Sequence, residues 1–218
     1  MKWNNSNNTT LNGNNSLNNK DDNFRPLIDI NTDDEKPIFS NKDVISHSHT
    51  NPYSKDESKS VKNSINKNEQ YPQVSVFDVA KYILEKLGEP CSTMKLQKLV
   101  YYCQVWFLVW EDRPLFNEKI EAWSNGPVVR RLFNFHRGFY RINKYQMTLG
   151  NSDRLSKLQK EDIDSVLEFY GNKTSQWLID QTHSELPWIE ARKGLAPFEK
   201  SDREISRESI VNYYSSLD

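Results

Sequence analysis

Two cysteines, Cys91 and Cys103, in a chain of 218 residues imply no disulfide framework. Cys103 falls in an apolar stretch, where a free thiol behaves as a small buried hydrophobe. Glycine is scarce, and Gly126 stands alone before Pro127, so there is no Gly-rich loop to cradle a phosphate. Only four histidines occur. His47 and His49 form a pair without a third ligand nearby, whereas a closed zinc site takes about four. No metal and no cofactor is therefore expected. Net charge is nearly absent too, with 29 Lys and Arg against 30 Asp and Glu. Residues 1–72 hold 9 basic and 10 acidic side chains, and the remainder holds 20 of each. Neither part has the basicity of a typical nucleic-acid binder, so nucleic acid is not an expected partner. The longest apolar run, Leu99 to Trp110, is broken by Gln104; at about 12 residues it falls short of the ~20 that span a bilayer. Residues 1–30 lack a signal peptide's apolar core. The reading is a soluble, cytoplasmic protein with no membrane partner.

What is present divides at about residue 72. Residues 1–72 are rich in Asn, Ser, Lys and Asp, as in Asn4-Asn5-Ser6-Asn7-Asn8. Such a segment buries too little apolar surface to offset ~1–2 kcal/mol of backbone entropy per residue, so a disordered tail is expected. Two islands interrupt it: Phe24-Arg25-Pro26-Leu27-Ile28-Asp29-Ile30 and Lys36-Pro37-Ile38-Phe39. Each reads either as a short docking motif or as an incidental apolar cluster.

Residues 73–218 change character. Ser75 and Asp78 fit a capping box, and Val76, Val79, Ala80, Ile83 and Leu87 form one helical stripe ended by Gly88. A second helix is expected from Ser92 or Thr93 to about Glu111. It is apolar nearly all round, as a central buried helix is. Ile120 to Trp123 reads as a short strand or extended loop. Pro127 fits the first position of a helix carrying Val128, Val129, Leu132 and Phe133, with Gly138 as its stop. Tyr140 to Leu149 is compatible with a short β-hairpin. Further helices are expected from Gln159 to Tyr170, from Thr174, and after Ser206, where Ile205 and Ile210 fit a hydrophobic staple. Thr182 or Ser184 could cap a turn begun by Pro187 and Trp188. The fold class is thus mainly α: one compact helical domain with at most a small β-hairpin, preceded by the tail.

Catalytic constellations are weak. Cys103 with His136 or His183 is the one Cys–His option, and its apolar setting disfavours a reactive thiolate. Glu121, His183 and Glu185 could serve acid–base chemistry, but His183 more simply bonds a backbone carbonyl and ties two helices together. Arg130, Arg131, Arg137 and Arg141 read as a solvated face. The 6 Trp, 10 Tyr and 10 Phe are more informative, since aromatic side chains anchor protein interfaces as well as cores. Tyr101, Trp123 and Trp188 fall off the helical stripes and are expected at the surface. Binding, not catalysis, is the expected activity.

Several ordered motifs add to this reading. They are Lys95-Leu96-Gln97-Lys98-Leu99-Val100-Tyr101-Tyr102, Gln104-x-Trp106, Arg113-Pro114-Leu115-Phe116, Ile120-Glu121-Ala122-Trp123 and Asn125-Gly126-Pro127-Val128-Val129. Tyr170-Gly171, Thr182-His183-x-Glu185-x-Pro187-Trp188, Ala191-Arg192 and Ile210-x-x-Tyr213-Tyr214 follow in order. Over about residues 76 to 215 the chain resembles the Panacea domain, an antitoxin domain of bacterial and phage toxin–antitoxin operons. The resemblance implies a small helical protein that neutralises a cognate protein toxin by direct binding. Lys95, Gln97, Lys98, Tyr101, Trp123, Asn125, His183, Glu185 and Trp188 are the expected partner-binding residues. A second reading is an adaptor that hands its bound partner to a protease, with the tail as engagement handle.

Overall fold

A computed structural model describes residues 73–217. The expectations placed on residues 1–72, which are the disordered tail, the two apolar islands and the His47–His49 pair, lie outside the described residues.

Helix α1 (Val76–Leu87) begins at the expected capping box: the Asp78 N–H is directed to Ser75 Oγ, and the Ser75 N–H donates to Asp78 Oδ2 at 2.9 Å. Gly88 closes it at φ +72°, a left-handed conformation that suits a residue without Cβ. Strand β1 (Cys91–Ser92) leads into α2 (Thr93–Glu111), where Ser92 caps the first turn by accepting from the Lys95 N–H. Every residue of α2 from Leu96 to Leu108 is buried. The remaining elements pack around this helix, so its polar side chains must be satisfied from within.

Strands β2 (Glu121–Trp123) and β3 (Gly126–Val128) form an antiparallel hairpin, pairing Glu121 with Val128, Ala122 with Pro127 and Trp123 with Gly126. The helix expected to start at Pro127 instead starts later, as α3 (Arg130–His136). Two side chains of α2 explain the difference. Lys98 Nζ donates to Pro127 O at 3.0 Å, and the Val129 N–H donates to Gln97 Oε1 at 2.9 Å. These bonds hold residues 126–129 extended, and Pro127 costs the pairing nothing because Ala122 opposite sends its N–H to Arg203 O.

The segment from Tyr140 does not fold on itself as a hairpin. Its strand β4 (Arg141–Ile142) pairs with β1, bringing Cys91 opposite Ile142. Thr93 fastens it further, its N–H donating to Tyr140 O at 3.0 Å and its hydroxyl to Phe139 O at 3.2 Å.

A 3₁₀ turn at Ser152–Arg154 precedes α4 (Lys157–Tyr170), which opens on a capping box between Ser156 and Gln159. Helix α5 (Ser175–Ser184) is capped by Thr174 and α7 (Arg207–Tyr214) by Ser206, both as expected. Ile205 and Ile210, the two halves of the staple, are buried. Between α5 and α7 in the chain lies α6 (Leu186–Ala191), with Pro187 in its first turn. Its N-cap is Glu185, without a side-chain cap bond. Thr182 and Ser184, the expected caps, donate instead to the backbone of their own helix, at Ile179 O and Gln181 O. The domain is mainly helical, with seven α-helices and two small two-stranded sheets among the described residues.

Candidate functional site

The motif residues of α2 turn inward. Gln97 grips Val129 and His136: its Oε1 accepts the Val129 N–H, and its Nε2 lies 2.9 Å from His136 Nε2. Gln104, two helical turns further on along the same face, accepts the N–H groups of both Leu115 and Phe116 at 3.0 and 3.1 Å and donates to Phe116 O. A primary amide matches a backbone peptide donor for acceptor, so each glutamine satisfies a loop that would otherwise bury orphaned groups. Lys98 is fully buried, and burial pushes its ammonium down to about 7.

A second polar cluster joins α2, the α5–α6 junction and α7. Glu185, buried as the N-cap of α6, accepts from the Tyr102 hydroxyl at 3.1 Å, from Tyr214 at 2.5 Å and from Gln181 Nε2 at 3.2 Å. Burial pushes its carboxyl up to about 7, against the three hydrogen bonds that favour the charged form. The hydroxyls of Tyr101, Tyr102 and Tyr214 are held well above the usual phenol range, first by burial and then by the neighbouring Glu185. Tyr102 stacks on Tyr170 at 4.0 Å, and Trp106 Nε1 donates to the Tyr170 hydroxyl.

The expected contact residues therefore separate into two groups. Gln97, Lys98, Tyr101 and Glu185 lie in the interior. For Tyr101 this corrects the expected surface position. Being off the apolar stripe means little on a helix surrounded on all sides, and its hydroxyl finds Tyr214 at 3.3 Å. Lys95, Trp123, His183 and Trp188 are partly exposed, and Asn125, in the β2–β3 turn, is exposed. The structure brings three of these together. The His183 ring stacks on Trp188 at 4.1 Å, and Trp188 Nε1 donates to Trp123 O at 2.9 Å. Trp123 in turn meets Phe133 edge-on at 4.7 Å and carries the Arg130 guanidinium over its ring.

Through its stacking on Trp188, His183 of α5 packs on α6. Burial, then the nearby Lys98, lowers its affinity for a proton, while the nearby backbone of Ser124 in the hairpin turn favours its protonated form. Glu121 is engaged elsewhere, accepting from Arg130 and from Trp123 Nε1, so it shares no partner with Glu185. Cys103 is buried, and its thiol is pushed far up by desolvation.

Arg130 and Arg131 are paired with Glu121 and Glu118 along a cleft of about 310 Å³ beside α3. Each charge lining it is thus answered by its neighbour, which leaves little to recognise a ligand. No group of three or more metal-ligating side chains occurs among the described residues, and none of their helices is long and apolar enough to cross a membrane.

Sequence reasoning did not single out the exposed apolar side chains. Phe139, Tyr140, Tyr145 and Leu149 crowd one segment, while Leu186, Ile189 and Phe198 lie on and after α6. The signal was available: an aromatic-rich stretch, Tyr140 to Leu149, with no helical stripe to bury it.

The profile of the antitoxin SocA-like Panacea domain matches residues 96–189, the span from the central helix to α6. Antitoxin SocA of Caulobacter vibrioides (strain NA1000 / CB15N) is 36% identical over 134 residues, covering 55% of this chain and 71% of that protein. No solved structure matches. With its motif residues forming the internal clamps of the domain, this chain belongs to the SocA-like family of Panacea-domain antitoxins.

Proposed function

We propose that this protein is the antitoxin of a toxin–antitoxin pair and that it neutralises its toxin in the cytoplasm by binding it directly. Family membership supports the antitoxin role. The observation that carries direct binding is the division of aromatic residues: many are locked in the core, yet Phe139, Tyr140, Tyr145 and Phe198 remain between about half and nine-tenths exposed. Large exposed apolar groups on a folded domain mark a surface that meets another molecule. Among the residues expected from sequence, Lys95, Trp123, Asn125, His183 and Trp188 are exposed or partly exposed and are the ones proposed to take part. The polar clusters have a supporting role, since their bonds close within the fold and hold it rigid. Residues 73–218 form the binding domain in this reading, and residues 1–72 a separate tail.

Co-expression with the adjacent reading frame tests it. The neighbouring product should arrest growth alone, be harmless with this protein, and purify with the full chain as a stable complex. A toxin that vanishes instead of persisting in the complex would replace blocking with delivery to degradation. A neighbour harmless by itself would remove the antitoxin reading.

A further inference from the structure

The chain carries no Asp or Glu between Glu121 and Asp153, and over that span it carries Arg130, Arg131, Arg137, Arg141 and Lys144. In a protein of net charge −1 this is a local excess of five cations. The fold disposes of two of them, because Arg130 and Arg131 are paired with Glu121 and Glu118. Arg137, Arg141 and Lys144 are in no ion pair among the described residues. Arg137 is bonded to Asn134 Oδ1, Arg141 to the Pro90 carbonyl, and Lys144 lies over the Tyr145 ring. Lys95 adjoins them, since Lys95 and Arg141 both act on Cys91.

The same stretch exposes three aromatic rings: Phe139 at 47%, Tyr140 at 76% and Tyr145 at 79%. Loose chain is not the reason. Ile142 and Met147 are buried anchors, β4 is paired with β1, Thr93 bonds residues 139 and 140, and Lys81 Nζ donates to Lys144 O at 2.6 Å. A loop fixed at so many points presents its Tyr and Arg side chains already ordered, so little entropy remains to be lost on binding.

We infer that the segment Arg137–Tyr145, with Lys95 beside it, is a docking surface for an acidic face of the toxin, the aromatic rings seating on apolar ground between that partner's carboxylates. The inference rests on the antitoxin reading above and adds to it where, and by what chemistry, the toxin is held. Tyr and Arg are the side chains enriched where binding energy concentrates, and unpaired cations of one sign steer an acidic partner. A protein is favoured over nucleic acid by number. Four cations track few phosphates, whereas nucleic-acid interfaces commonly neutralise about 6–10, and the rest of the folded part is net acidic, with 16 basic residues against 20 acidic ones.

The test measures binding of the purified full-length chain to the purified toxin, the product of the adjacent reading frame, at low and moderate salt. Two variants accompany the wild type: Arg137→Glu with Lys144→Glu, and Tyr140→Ala with Tyr145→Ala. All four side chains are exposed or partly exposed, and melting curves of both variants should match the wild type. Each pair of changes should weaken binding by roughly tenfold or more, and only the charge-reversed variant should lose the salt dependence. Toxin affinity that survives both variants would overturn this inference and leave the antitoxin reading standing. A wild-type chain that fails to hold the toxin would overturn both. Tight binding of a labelled DNA duplex from the protein's own promoter, abolished by the charge reversal while toxin binding persists, would reassign the surface to nucleic acid.

Discussion

Tyr214 of the last helix donates its hydroxyl to Glu185 Oε2 at 2.5 Å inside the core. Its one proton is thereby committed, so the Tyr101 hydroxyl at 3.3 Å donates to the Tyr214 oxygen. A chain of three side chains thus links α2, the α6 cap and α7. Its energetics depend on the charge of Glu185, which yields the first prediction.

The Glu185 carboxyl titrates near 7 in the fold against a usual 4.5. Between those values the unfolded chain has released the proton that the folded chain keeps. Stability from this group is therefore full below about pH 4.5, declines as pH rises, and levels off above 7; the span is on the order of 3 kcal/mol. Glu185→Gln should remove that decline. His136 and His183, both lowered by burial, act in the opposite sense at acid pH. They are common to both proteins, so the quantity to follow is the difference between wild-type and variant urea stabilities from pH 4.5 to 7.5. A difference that stays flat would show the carboxyl to be unperturbed.

Lys98 predicts the opposite limb. Its ammonium is pushed down to about 7 from 10.5. Between those values the unfolded chain binds a proton that the folded chain has lost, so this group raises stability as pH increases. Lys98→Met, similar in length and unbranched, should flatten that rise. Melting curves of the two proteins from pH 7 to 9.5 should converge or cross accordingly, and parallel curves would contradict the assignment.

Gly126 and Gly138 both sit at positive φ, +93° and +90°, yet they should respond differently to alanine. A Cβ at Gly126 would fall 2.7 Å from Thr182 Oγ1 and 2.8 Å from Lys98 Cε, whereas at Gly138 it meets nothing within 4 Å. Gly138→Ala should cost about 1–2 kcal/mol from backbone strain alone, and Gly126→Ala about 3 kcal/mol or more once overpacking is added. Denaturant midpoints decide the order; equal costs would mean that the Lys98–Thr182 packing yields freely.

Gln104→Leu keeps the side-chain volume and removes the acceptor shared by the Leu115 and Phe116 N–H groups. Leaving these buried groups unpaired should cost about 2–5 kcal/mol. Gln176→Leu, in an exposed bond to Asp180, should change stability by no more than ~0.5 kcal/mol. Thermal unfolding of both variants measures the contrast, and similar small effects would show the 115–116 loop able to find water instead.

Much of the helical framework could be read along the chain because its signals are local. Ser75 with Asp78, Thr174 and Ser206 cap the helices they were expected to cap, and the stretch apolar nearly all round after Leu96 is the central helix. Such signals act within one turn, where neighbouring residues alone decide the backbone. Pro127 misled because its preference for a helix start is weaker than the bonds from Gln97 and Lys98, which arrive from about thirty residues away. Tyr140 to Leu149 misled for a similar reason, since the partner of β4 lies before α2 and not within the segment.

The candidate site divides in the same way. From the order of its motifs and the lack of a nucleophile, metal cage or phosphate loop, the sequence by itself determined the family resemblance and the expectation of a binding protein. Which motif residues face a partner was decided by tertiary structure alone. Gln97, Lys98, Tyr101 and Glu185 look from the sequence like surface chemistry; the first three became core because a helix enclosed on every side must satisfy its polar groups inward, and Glu185 because it accepts from Tyr102 of that helix. Tyr140 and Tyr145 became surface because the buried Ile142 and Met147 take the inward positions of that segment. Burial is a property of the assembled fold, and no spacing along one chain states which side its neighbours will occupy.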